Sequence, residues 1–191
     1  MVDGTLILRK NAKDEEIKAY NILKDILFKN DIAIIGDNIS KNLPDIYTKD
    51  FDIGVEVTSC EHLSQFLLDT FSKKHKKKGK NVNEIIELYE NLSLKEKNLL
   101  FLKEFEKILE KKIKKIDVYK HCKSLNLIII SNLETKSYVR RESLAEIYQK
   151  LVLKYNKKYD NLFLFYNNTL YVSINYNFVK LKKINTISEE K

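Results

Sequence analysis

Two cysteines, one proline, four glycines and three arginines are present in a chain of 191 residues. Cys60 and Cys122 are too few for a disulfide framework, and neither belongs to a CxxC pair, so each is expected as a buried or half-buried thiol. The three histidines, His62, His75 and His121, are scattered and suggest no zinc site. No Pro/Gly/Ser-rich linker and no internal repeat divides the chain, which reads as one domain over residues 1–191. No apolar run approaches the ~18–20 residues that a membrane-spanning helix needs. The first residues, MVDGTLILRKNAKDEE, offer neither a long apolar segment nor a small-residue cleavage site. The expectation is a cytoplasmic protein with no membrane partner.

What the chain has in quantity is lysine. The formal charge is +8, but six lysines sit in KKHKKKGK: Lys73, Lys74, Lys76, Lys77, Lys78 and Lys80. Taking those six away leaves about +2, so the remainder is nearly balanced. The run reads either as a solvated loop or as a loop that contacts phosphates without reading base sequence. Abundant Lys, Asn and Ile also follows from an AT-rich genome with no functional demand.

Hydrophobic spacing predicts a helix over residues 13–29, with Asp14, Glu15 and Glu16 favouring its start. IAIIG then reads as a buried strand, followed by strands near 43–48 and 52–58. A helix over 60–71, the lysine run and a helical block over 82–120 come next. In that block Leu102, Phe105, Leu109, Ile113 and Ile116 form a stripe, with Lys103, Lys107, Lys111 and Lys114 mostly off it. LNLIIIS is a strong buried strand, 140–155 a helix, and NLFLFY with LYVSINYNF a closing hairpin around Asn167-Asn168. Tyr171 and Tyr176, on those last strands, read as packing residues. The order predicts a layered α/β domain with a central mixed β-sheet.

Chemistry is concentrated in LPDIYTKDFDIGVEVTS. Period-two alternation puts Glu56 and Thr58 on one face of their strand and the valines on the other, with Gly54 leaving the polar face open. Asp45 and Glu56 on neighbouring strands offer hard oxygens to Mg²⁺, joined by one backbone carbonyl.

Pro44-Asp45, ten residues, then Glu56-Val57-Thr58 resembles the PD-(D/E)xK nuclease superfamily, as does the order of an acidic helix, three strands, a helix and a further strand. The resemblance covers about residues 13–175. It implies a restriction-endonuclease-like α/β/α fold, with 82–120 a helical insertion between the third and fourth core strands. It implies a Mg²⁺- or Mn²⁺-dependent nuclease cutting phosphodiester bonds, of DNA more than RNA, and by analogy leaves a homodimer open. Asp45, Glu56 and the Val57 carbonyl would be the metal ligands. Glu15 or, as we take it, Glu16 would match an acidic residue contributed by the first helix.

Thr58 stands where the superfamily has lysine. A migrated lysine, with Lys111 or Lys112 the candidates, is one explanation; catalysis by metal and water alone is a second. The third is a catalytically inactive protein that binds nucleic acid, or, as in phage and mobile-element proteins, another protein. Thr58 and Glu61 also fit the capping box S/T-x-x-E of the next helix. Asp45 alternatively reads as an exposed turn residue, and Glu56 as a polar residue of a half-exposed strand. Glu61 and Asp52 are spare carboxylates nearby.

Overall fold

The computed structural model describes residues 5–36, 42–59, 84, 87, 90–119, 121–131, 139–166 and 168–184. The elements are β1 (Leu6–Leu8), α1 (Asp14–Leu27), β2 (Ala33–Ile35), β3 (Ile46–Thr48), β4 (Ile53–Ser59), α2 (Leu94–Ile113), a 3₁₀ turn (Ile116–Tyr119), β5 (Ser124–Ser131), α3 (Arg141–Tyr155), β6 (Asn161–Tyr166), β7 (Thr169–Ile174) and β8 (Asn177–Lys183). The eight strands among the described residues form one mixed sheet whose spatial order is the chain order. The β1/β2, β4/β5 and β5/β6 pairs are parallel, and the others are antiparallel.

Side chains alternate across the pleat, so β5 feeds two cores. Leu125, Leu127 and Ile129 pack with Phe105, Leu109 and Ile113 of α2 and with Leu144, Tyr148 and Leu151 of α3. Ile128 and Ile130 join Ala19, Tyr20 and Leu23 of α1 on the opposite face, together with Val55 and Val57. This is an α/β fold with helices on both faces of the sheet. None of the described helices is long and apolar enough to cross a membrane.

The helical block divides where local chemistry asks for it. Ser93 Oγ accepts from the Glu96 N–H at 3.3 Å, and Glu96 Oε2 accepts from the Ser93 N–H at 2.8 Å. This reciprocal capping starts α2 afresh at Leu94. Two strands differ from expectation. β1 is a three-residue strand at the sheet edge, and Ile7 and Leu8 are exposed, so no alternation announced it. LYVSINYNF is not one strand but β7 and the start of β8, because Asn175 and Tyr176 both have positive φ, 48° and 66°. A two-residue turn of that kind favours Gly at its second position, and Tyr hides it. Tyr176 therefore lies at a turn, against Tyr148 with ring centroids 5.8 Å apart.

Candidate active site

β3 and β4 are antiparallel, with Ile46 opposite Val55. Continuing that register sets Asp45, just before β3, beside Glu56 at the middle of β4. Asp45 is fixed there by its own carboxylate: Oδ2 accepts the Val57 N–H at 2.8 Å. Pro44 helps to seat it. A Cβ on Gly54 would come within 2.6 Å of Cys122 Sγ and 2.9 Å of Pro44 Cγ. The space above Gly54 is thus filled, not open as the sequence suggested. Glycine is needed there because Cys122 and Pro44 close over it.

Glu56 points toward the α2 face of the sheet and is only 3 % exposed. Desolvation, followed by the charge of Asp45, pushes its carboxyl above the usual carboxylate range; Lys112 and a hydrogen bond from the Tyr119 hydroxyl pull the other way. Such a carboxylate demands a cation. Lys112, on the last turn of α2, supplies one: its Nζ donates to Glu56 Oε2 and to the Val57 carbonyl at 3.0 Å, and lies 3.7 Å from Asp45 Oδ2. Three oxygens from β4 and the start of β3 thus converge on one ammonium. The Asp45 and Lys112 side chains keep 19 % and 18 % of their surface exposed, so the site opens to solvent on their side.

Two tyrosines brace it. Tyr119 lies on the 3₁₀ turn that follows α2, and its hydroxyl is pushed far up in pKa by burial and by its bond to Glu56. The Tyr159 hydroxyl donates to the Lys112 carbonyl at 3.0 Å. That carbonyl, in the last turn of α2, also accepts the Lys115 N–H at 3.0 Å, and Tyr159 adds a second bond that ties down the end of the helix carrying the lysine. Nothing in the sequence marked either tyrosine.

Of the expected site residues, Asp45, Glu56, the Val57 carbonyl and Lys112 come together. Lys111 does not: it is exposed, because one step along an α-helix turns the side chain about 100° away. Thr58 lies inside β4 opposite Ile129, on the side of the strand that carries Glu56. Glu16 is buried in the first turn of α1, where it accepts the Lys13 N–H at 3.1 Å; burial raises its pKa, and Asp45 adds to that at longer range. Among the described residues no group of three or more His, Cys, Asp or Glu side chains is arranged to hold a metal ion, so Glu16 does not complete a three-carboxylate set. Asp52 is paired with Lys123. The lysine run at 73–80, the 60–71 helix, Cys60 and Glu61 lie outside the described residues.

The lysine stripe of α2 is not a bare cationic surface. Acids between its lysines reach across to α3, where Glu106 pairs with Lys150 and Glu110 with Lys154 and the Tyr155 hydroxyl. Lys114 also leans on Glu110 at 3.5 Å. These bonds, led by that of Tyr155, lower Glu110 to about 2. Comparisons of the chain with protein-family models, curated proteins and solved structures find no match.

Proposed function

We propose that this protein is a divalent-metal-dependent nuclease of the PD-(D/E)xK type in which the motif lysine has moved from the strand to α2, as Lys112. The single observation that carries this reading is the convergence of Asp45, Glu56 and the Val57 carbonyl on the Lys112 ammonium. The meander of β2, β3 and β4, with β5 added parallel to β4, supports the restriction-endonuclease-like arrangement implied by the sequence resemblance.

The donor set fits a hard cation. Two carboxylates and a carbonyl are the oxygen ligands that Mg²⁺ or Mn²⁺ takes, and the ammonium seated among them shows that they already attract positive charge. Asp45, Glu56 and the Val57 carbonyl would hold the ion. When bound it would supply Lewis-acid stabilisation of phosphate charge and a more acidic water. The chain's own groups do the rest. The Val57 N–H orients Asp45, the Tyr119 hydroxyl favours the charged form of Glu56, and Lys112 offers an ammonium donor against charge on a phosphodiester oxygen. The half-buried flank formed by Asp45 and Lys112 is the side from which a nucleic acid would approach, DNA more than RNA.

Incubation with single- and double-stranded DNA and RNA tests this reading directly, with Mg²⁺, Mn²⁺ or EDTA. Metal-dependent cleavage that vanishes in Asp45→Ala is expected; inertness on every substrate would overturn it. A nucleic-acid-binding protein without turnover is the second reading, favoured by the Lys112 ammonium seated against both carboxylates. It predicts salt-sensitive binding that survives Asp45→Ala.

A further inference from the structure

We infer that Lys112 is a built-in competitor for the metal: its ammonium and a divalent cation occupy the same three-oxygen cradle in turn, so Lys112 sets the metal affinity of the site. This rests on the metal-dependent reading above and adds a property to it. The oxygens around Lys112 Nζ are those the site can offer to a metal: Glu56 Oε2, the Val57 carbonyl at 3.0 Å and Asp45 Oδ2 at 3.7 Å. An ammonium and a divalent ion a few ångströms apart in a largely dry pocket repel each other strongly, so the cradle takes one at a time.

The two halves of the site differ in freedom. Glu56 is 3 % exposed, and Asp45 is held by the Val57 N–H. Lys112 carries its charge on a four-carbon stem with an opening to solvent, while its backbone is tied down by Tyr159. The cradle is rigid and its plug can swing. Without metal the plug spares two neighbouring carboxylates an uncompensated burial. With metal the displaced ammonium stays on its tether, outside the cradle on the solvent side.

Calorimetric titration with Mn²⁺ alone, without nucleic acid, tests the exchange on the wild type, Lys112→Met, Lys112→Arg and Glu56→Gln. Lys112→Met is expected to bind Mn²⁺ about tenfold tighter or more, because charge-assisted bonds no longer have to be broken. Lys112→Arg, which keeps a cation in place, should bind no tighter than wild type, and Glu56→Gln much more weakly. Thermal melts give a second readout. Lys112→Met should melt below wild type without metal and recover most of the gap in saturating Mn²⁺. Lys112→Gln repeats the comparison should the methionine variant fold poorly. Unchanged or weaker Mn²⁺ binding by folded Lys112→Met and Lys112→Gln, with Glu56→Gln still impaired, would overturn the exchange and leave the metal site standing. Absence of Mn²⁺ binding in all the proteins would overturn both.

Discussion

Lys112, on the last turn of α2, donates a hydrogen bond to Glu56 at the middle of β4, across 56 positions of sequence. The contact joins the helical segment between β4 and β5 to the face of the sheet that carries Glu56.

Asp45→Asn and Glu56→Gln each remove one oxygen charge from the cradle. Metal-dependent cleavage should fall by about a hundredfold or more in either variant, with the far-ultraviolet circular dichroism unchanged. Rates measured under single-turnover conditions check this.

Lys112→Met leaves Asp45 and Glu56 facing each other without a cation. Breaking a largely buried pair in this way should destabilise the metal-free protein by about 3 kcal/mol near neutral pH, read by urea denaturation. The sign of the pH dependence is fixed by Glu56. Its folded pKa is already raised, and losing Lys112 raises it further. A raised carboxyl contributes stability that is full below the unfolded value, near 4.5, and is lost as pH rises through the folded value. The deficit of the variant should therefore shrink toward acid pH and grow toward neutral.

Tyr119→Phe deletes the hydroxyl that supports the charged form of Glu56 and little else. The carboxyl should titrate higher, visible by carbon-detected NMR, and cleavage should drop by about tenfold, the scale of losing a partner that orients a ligand. An unmoved Glu56 titration would contradict the assignment.

Gly54→Ala tests the packing that seats Asp45. Its methyl would meet Cys122 Sγ at 2.6 Å and Pro44 Cγ at 2.9 Å, so a loss of about 1–3 kcal/mol is expected, along with reduced cleavage as Pro44-Asp45 shifts. Adding Cys122→Ala should recover part of both losses, since Pro44 still presses on the new methyl.

Glu110 provides a titration away from the site. Its carboxyl is held near 2, first by Tyr155 and then by Lys154. Stability from this group is present above the ordinary carboxylate range and fades as pH falls toward 2. In Tyr155→Phe the Glu110 NMR titration should move up toward the value of a free glutamate.

The elements were legible wherever burial imposes a period on the sequence. Asp14–Leu27, Ile53–Ser59, Ser124–Ser131 and Arg141–Tyr155 lie within about two residues of where hydrophobic spacing put them. β1 and the split between β7 and β8 were not, because an exposed edge strand carries no alternation and an Asn-Tyr turn lacks the usual glycine. The lysines of α2 could be read as a stripe, but not as partners of acids on α3, since pairing between helices leaves no local pattern.

By itself the sequence determined that Asp45 falls at the start of the strand next to that of Glu56 and that Glu56 shares a side of its strand with Thr58, because alternation along a strand is a local rule. Only the tertiary structure decided that Lys112 and not Lys111 reaches Glu56, that Tyr119 and Tyr159 lie against the site, and that Glu16 stays outside the cradle. Those choices depend on how α2 is rotated against the sheet. That rotation is set by Phe105, Leu109 and Ile113 packing against β5 and α3, a fit between surfaces far apart in the chain.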